Sequence, residues 1–151
     1  MGKKKEYKEK LANRKYPSIA YELAEQIEKE FAKADEIANV LIEVNMAQEE
    51  SKFGITSQET EELIREIVKL PHVRIQGLMT IAPFTDNPET NRVYFKNMKK
   101  LSVDINNKNI DNVSMNVLSM GMTGDYQVAV EEGATMVRVG TGIFGERNYN
   151  I

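Results

Sequence analysis

From Ser18 onward, segments of helical period alternate with short β-branched runs, and this alternation constrains the fold more than any other feature. Ala20, Leu23, Ala24, Ile27 and Phe31 recur at helical spacing and predict an amphipathic helix over residues 18–33. Val40 to Asn45 then reads as a mostly buried strand. Thr56 and Glu59 have the spacing of a capping box, opening a helix with Leu63, Ile64, Ile67 and Val68 on one face. A second strand is expected from Val73 to Thr80. Asn87-Pro88 starts the next helix, with Tyr94, Met98, Leu101 and Ile105 along one stripe. A short strand ending at Leu118-Ser119 follows. Asp125 is placed to cap a helix running to Glu132, which Gly133 stops, and a last strand spans Thr135 to Val139. The order α, βα, βα, βα, β implies an α/β fold: a parallel sheet with right-handed crossovers.

Ligands of parallel α/β sheets bind at the carboxyl ends of the strands. Two of the four loops expected there are rich in glycine, Ser119-Met-Gly-Met-Thr-Gly-Asp125 and Gly140-Thr-Gly-Ile-Phe-Gly145. Glycines let backbone N–H groups converge on an anion, hydroxyls add donors, and helix starts at Asp125 and after Gly140 would add positive dipole ends. The same glycines also serve simple tight turns.

Composition removes several chemistries. The chain has no Cys and a single His, His72, so disulfides, zinc ribbons, thiol nucleophiles and His-cluster metal sites are excluded. His72 falls in the turn before the second strand, the amino end, and reads as a surface residue. No apolar run approaches the roughly 18 to 20 residues that span a bilayer, and no signal peptide is recognisable; a soluble cytoplasmic protein without a membrane partner is expected. Residues 1–15 hold seven basic and two acidic residues, against 13 basic and 21 acidic in the remainder. A body this acidic is a poor nucleic-acid binder. Residues 1–17 read as a basic, solvated segment and 148–151 as a tail.

Arg138 alternates with Val137 and Val139 and so projects from the face opposite to theirs, together with Met136. A buried guanidinium needs an acceptor. Glu43, which interrupts the first strand, is a structural candidate, and a ligand is the other. Asn45 and Lys52 flank the end of the first strand, Asn45 as a turn former or ligand and Lys52 as a solvated lysine or an anion contact. Met79, Met120 and Met122 sit where a flat apolar ligand would rest, or simply fill core.

Four blocks carry a resemblance: Val44 to Gly54 (VNMAQEESKFG), Gly77-Leu-Met-Thr-Ile-Ala, Leu118-Ser-Met-Gly-Met122 with Asp125, and Gly133 to Gly145 (GATMVRVGTGIFG). In order and spacing, over residues 18–147, they resemble the YggS/PROSC family of pyridoxal phosphate homeostasis proteins, related to the alanine racemase N-terminal domain. The resemblance implies a (β/α)8 barrel that carries pyridoxal 5′-phosphate (PLP) on a first-strand lysine, with no established turnover. It implies that Ser119, Gly121, Gly140 and Thr141 hold the phosphate and that Arg138 faces the pyridine nitrogen. Met120 and Asn45 complete the cofactor-binding set.

The match covers only the family's C-terminal half: four parallel strands of a TIM barrel, both sheet edges open. The first-strand lysine has no counterpart, since Lys3, Lys4 and Lys5 lie in a hydrophilic run. PLP binding is therefore expected to be non-covalent at best, with no catalytic or metal-ligating residue. Other readings are a truncated structural or interaction fragment without ligand, or a racemase-like enzyme, for which Tyr126 is the nearest base. Two copies pairing their open edges as a C2 dimer, or a missing N-terminal half, would complete the barrel.

Overall fold

Ala20, Ala24 and Ile27 turn one face of the first helix, α1 (Ile19–Ala34), toward the core in the computed structural model, which describes residues 19–149. The basic segment 1–17 and the end of the tail lie outside the described residues. After α1 come β1 (Ala38–Glu43), α2 (Thr60–Ile67), β2 (Val73–Met79) and a 3-10 turn, Pro88–Asn91, that leads into α3 (Arg92–Asn106). Then follow β3 (Val113–Met122), α4 (Tyr126–Glu131), β4 (Met136–Arg138) and α5 (Thr141–Phe144). The strands pair in the order β1-β2-β3-β4, all parallel.

The alternation of apolar residues decides which face of the sheet the helices cover. Ile42, Ile75, Leu78, Leu118 and Met120 are buried with Leu63, Ile64 and Ile67 of α2, Phe95 and Met98 of α3, and Val128 and Ala129 of α4. The opposite face is polar toward the strand starts: Gln76 Nε2 donates to Asn39 Oδ1 at 3.1 Å, and Ser114 Oγ donates to Gln76 Oε1 at 3.3 Å. Higher up, Glu43, Met79, Ser119 and Met136 stand in register across all four strands.

β2 does not pair evenly. The register shifts between Val40 and Leu41 of β1, whose partners are Ile75 and Gly77, so Gln76 is the extra residue of a bulge. Beside it Gly77 lies against β3 so closely that a Cβ there would fall 1.7 Å from the Val117 carbonyl oxygen. Only glycine fits this approach.

Several local expectations are corrected. β3 is not a short strand ending at Ser119 but runs on to Met122, so Ser119 to Met122 are strand rather than loop. The stripe of α3 buries Phe95 completely, while Tyr94 is half-buried. Asp125 occupies the N-cap position of α4 without capping it; its Oδ1 accepts from Met122 N–H at 2.8 Å instead. Asn87 does cap, accepting from Glu89 N–H at 3.2 Å, although the first turn it opens is 3-10. His72 is not free at the surface: its backbone N–H and its Nδ1 meet the two carboxylate oxygens of Glu28 at 2.7 and 2.8 Å, fastening α1 to the start of β2.

Arg92 clamps α3 to α4, meeting Glu89 at 2.8 Å, Glu131 at 2.6 Å and Glu132 at 2.9 Å. Its hydrogen bond holds the Glu89 carboxyl below the ordinary 4.5. A carboxyl depressed in the folded state contributes stability above its unfolded pKa and loses it as pH falls through the folded one. Arg92→Gln is therefore expected to lower the melting temperature at neutral pH, with the deficit closing toward about pH 3; melts followed by circular dichroism at both pH values check this. Gly77→Ala is expected to cost about 3 kcal/mol or more, because no side chain can move to relieve a clash with backbone. Urea titration reads that loss, and an unchanged midpoint would contradict it.

Candidate functional site

Thr80, the first residue past β2, is fully buried and joins three neighbours. Its hydroxyl donates to Val44 O at 2.7 Å, and its N–H donates to Ser119 O at 3.0 Å. Its carbonyl accepts from Arg138 Nη2 at 2.9 Å. Arg138 Nη1 donates to the Ser119 hydroxyl, so the guanidinium spans from β4 across β3 to the end of β2. Ser119 is a buried hydroxyl whose lone pair is used by Arg138, which leaves its own proton to be donated. Thr80 lies inside the Gly77-Leu-Met-Thr-Ile-Ala block, yet the pattern assigns it no role of its own, because a threonine closing a strand is ordinary.

Arg138 does not form the direct pair with Glu43 that its position in the sequence allowed. Its acceptors are a hydroxyl and a carbonyl, both neutral, and among the described residues it makes no ion pair. Burial pulls its pKa below the usual guanidinium range, while the fields of Glu43 and Asp125 pull it back up. An arginine keeps its proton throughout. A half-buried cation held by neutral groups is an incomplete arrangement, and an electron-rich ligand would complete it.

The second half of the site is where the two glycine-rich segments meet. Thr141 Oγ1 and Gly142 N–H both donate to Thr123 Oγ1, each at 3.1 Å. Thr123 was not among the residues singled out from the sequence; its position inside the first glycine-rich segment was the available signal. The N–H groups of Gly140 and Thr141 donate to no acceptor among the described residues. Gly140 has φ −101°, which any residue adopts, and a Cβ added there meets nothing within 4 Å. Neither backbone nor packing demands glycine at 140, and the open space beside it is where a ligand would approach. Gly121 is different: its φ is +98° and a Cβ would sit 2.6 Å from that of Ala129, so packing of α4 on β3 accounts for it.

Two expected ligand residues are engaged elsewhere. Asn45 uses both side-chain atoms on its own loop, Nδ2 donating to Glu49 O at 2.8 Å and Oδ1 accepting from Glu49 N–H at 3.2 Å. It is a turn former. The Met120 side chain is fully buried in the core, because alternation along β3 sends it to the face opposite Ser119. Lys52 lines an apolar cleft of about 1040 Å³ along the outer edge of β1, together with Leu23, Leu41 and Phe53. Among the described residues no group of three or more His, Asp or Glu is placed to hold a metal, and no helix is long and apolar enough to cross a membrane.

Four parallel strands with helices on one face form half of a (β/α)8 barrel, as the resemblance implied. The family described as "Alanine racemase, N-terminal domain" matches residues 6–148. A protein of Aquifex aeolicus named "Pyridoxal phosphate homeostasis protein" is 45% identical over 127 residues, covering 84% of this chain and 55% of that protein. The solved structure of PipY from Synechococcus elongatus "with PLP bound" superposes with a TM-score of 0.71 at 26% identity, over 85% of this chain and 57% of that one. An alanine racemase of Clostridium difficile shares the fold, with a TM-score of 0.66 at 18% identity over 86% of this chain and 34% of that one. The chain belongs to the alanine racemase N-terminal domain family, in the branch whose curated members are named pyridoxal phosphate homeostasis proteins. It spans about half the length of the curated relatives it matches.

The site's own geometry is open to test without a ligand. Arg138→Leu is expected to lower stability by about 1 to 3 kcal/mol, from the loss of two charge-assisted hydrogen bonds. Arg138→Lys is expected to recover only part, since an ammonium cannot span Thr80 and Ser119 as a planar fork does. Denaturant titration of the three proteins ranks them; equal midpoints would show that the guanidinium bridges nothing.

Proposed function

We propose that the chain binds PLP non-covalently as a homeostasis module, with its phosphate at Gly140 and Thr141 and its ring toward Arg138. The observation that carries this reading is the pairing of an ion-pair-free guanidinium with two unclaimed N–H groups beside an open glycine. The names of the relatives and of the PLP-bound neighbour support it.

In this reading the N–H groups of Gly140 and Thr141, with one hydroxyl proton of the Thr123–Thr141 pair, receive the phosphate oxygens. Ser119 receives Arg138 and so belongs to the ring end of the site in this reading. Arg138 donates to the pyridine nitrogen and, having no proton to give up at neutral pH, leaves that nitrogen unprotonated. When bound, PLP supplies an aldehyde and an electron-withdrawing ring, and an unprotonated ring withdraws less. The residues present therefore suit holding the cofactor better than driving turnover. Among the described residues, no lysine takes part in the hydrogen bonds that join Thr80, Ser119 and Arg138 or in those that join Thr123, Thr141 and Gly142.

Titration with PLP, followed by its absorbance, is expected to saturate, and borohydride is expected to fix no cofactor to the lysines of the strand ends. Gly140→Ala is expected to melt with the parent, since its Cβ has free space, yet to weaken binding about tenfold or more by occupying the ligand's approach. Absence of any saturable signal would overturn the reading and leave a structural or interaction role without ligand.

The open edges of the half-barrel belong to the same proposal. A two-fold axis along the barrel would bring β4 of one copy beside β1 of another at two equivalent seams, closing eight parallel strands. The cleft beside β1 would then be covered, where Leu23 and Phe53 are 60% and 84% exposed. Sedimentation equilibrium is expected to give a dimer; a monomer that melts cooperatively would exclude it.

A further inference from the structure

We propose that Asn91 is a positioning residue for the phosphate end of this site, acting through Asp125 and Thr123. The proposal rests on the PLP reading and goes beyond it by assigning the phosphate contact to a relay that begins outside the site.

Asn91 ends the 3-10 turn before α3 and is 2% exposed. Its side-chain amide donates twice, to Pro83 O at 2.8 Å and to Asp125 Oδ2 at 2.9 Å. One hydrogen of the amide thus reads the loop after β2, and the other reads the turn after β3. Asp125 in turn folds back on its own turn, its Oδ1 accepting from Met122 N–H at 2.8 Å while its N–H donates to Met122 O at 3.1 Å. With one oxygen on Met122 and the other on Asn91, the carboxylate has no freedom to rotate.

Thr123 sits inside the turn that Asp125 closes. Its hydroxyl accepts from Gly142 N–H and from the Thr141 hydroxyl, both at 3.1 Å. Thr123 and Thr141 hold two hydroxyl protons between them. One closes the pair, so one remains for a phosphate oxygen, and its direction is set by where Thr123 stands. The same contact fixes Gly142 and hence the aim of the preceding Gly140 and Thr141 N–H groups. Pro83, Asn91, Asp125 and Thr123 therefore transmit the spacing of three loops to one anion contact, while the ring contact at Arg138 depends on Ser119 and Thr80 instead. The two ends of the ligand are held by separate sets of hydrogen bonds.

Separate support predicts separable loss. Pyridoxine 5′-phosphate and pyridoxine share a ring and lack the aldehyde that reacts with surface lysines, so their affinities differ by the phosphate alone. In the full chain, Thr123→Val and Asn91→Ala are each expected to weaken pyridoxine 5′-phosphate about tenfold, the loss of one or two directional bonds, and to leave pyridoxine within about twofold. Thr123→Val keeps the side-chain shape at an exposed position and reads the contact itself. Asp125→Asn, for which the same split is expected, leaves one oxygen for two donors, Asn91 Nδ2 and Met122 N–H, and so tests the relay even where Asn91→Ala unfolds. Calorimetric titration of both ligands against these variants reads the split. Equal weakening of the two ligands, or none, would overturn the relay. An unsubstituted chain with no preference for the phosphorylated ligand would overturn the phosphate site itself, and one that binds neither would overturn the PLP reading.

Discussion

Thr80 is the point on which the upper end of the sheet depends. Its hydroxyl, amide and carbonyl reach Val44, Ser119 and Arg138 respectively, so one buried residue fixes the relative heights of the carboxyl ends of the strands. Among the described residues the four strands form no closing seam that would enforce those heights. The Thr80 contacts supply part of that constraint, and the close approach of Gly77 to Val117 supplies it lower down, where the register shift in β2 would otherwise leave the spacing loose. Arg138 could not span from β4 to Thr80 if either contact slipped by a residue, since a one-residue slip turns every side chain to the other face.

The same constraint explains what the sequence made legible. Strand–helix alternation is a property of apolar spacing, and apolar spacing is what the sheet and its helices bury, so order and direction could be read directly. β1, however, lies two residues earlier than Val40 to Asn45, and α2 opens at Thr60, with Glu59 making no side-chain cap. The end of β3 could not be read either. Its last residues, Ser-Met-Gly-Met, look like a loop because glycine and serine are turn formers, yet Gly121 is there to admit Ala129 of α4 and Ser119 to receive Arg138. Tyr94 and Phe95 are adjacent on α3, and spacing alone does not say which aromatic ring enters the core; the missing hydroxyl of Phe95 suits the fully buried place.

Polar partners were the least legible layer, for a physical reason. Whether Asp125 caps α4 or braces its own turn, and whether Asn45 meets a ligand or closes its loop, depends on a few degrees of backbone rotation that composition does not encode. Arg138 illustrates the limit best. Its projection from the polar face followed from alternation, but it reaches Ser119 and Thr80 rather than Glu43 beside a register shift between β3 and β4 that spacing does not reveal. Thr123 and Asn91 were missed because each acts across loops distant in sequence.

Those neutral partners bear on what the site can do. Had Glu43 taken Arg138 in an ion pair, the guanidinium would be satisfied and indifferent to a ligand, since breaking a buried pair is costly. Held by a hydroxyl and a carbonyl, it keeps its position without spending its charge. The negative fields of Glu43 and Asp125 favour that charge against the burial that disfavours it, without a direct ion pair among the described residues. A guanidinium fixed by two neutral acceptors is thus held in place at the carboxyl end of the sheet. Under the proposed reading, preorganisation of this kind would lower the ordering cost of binding.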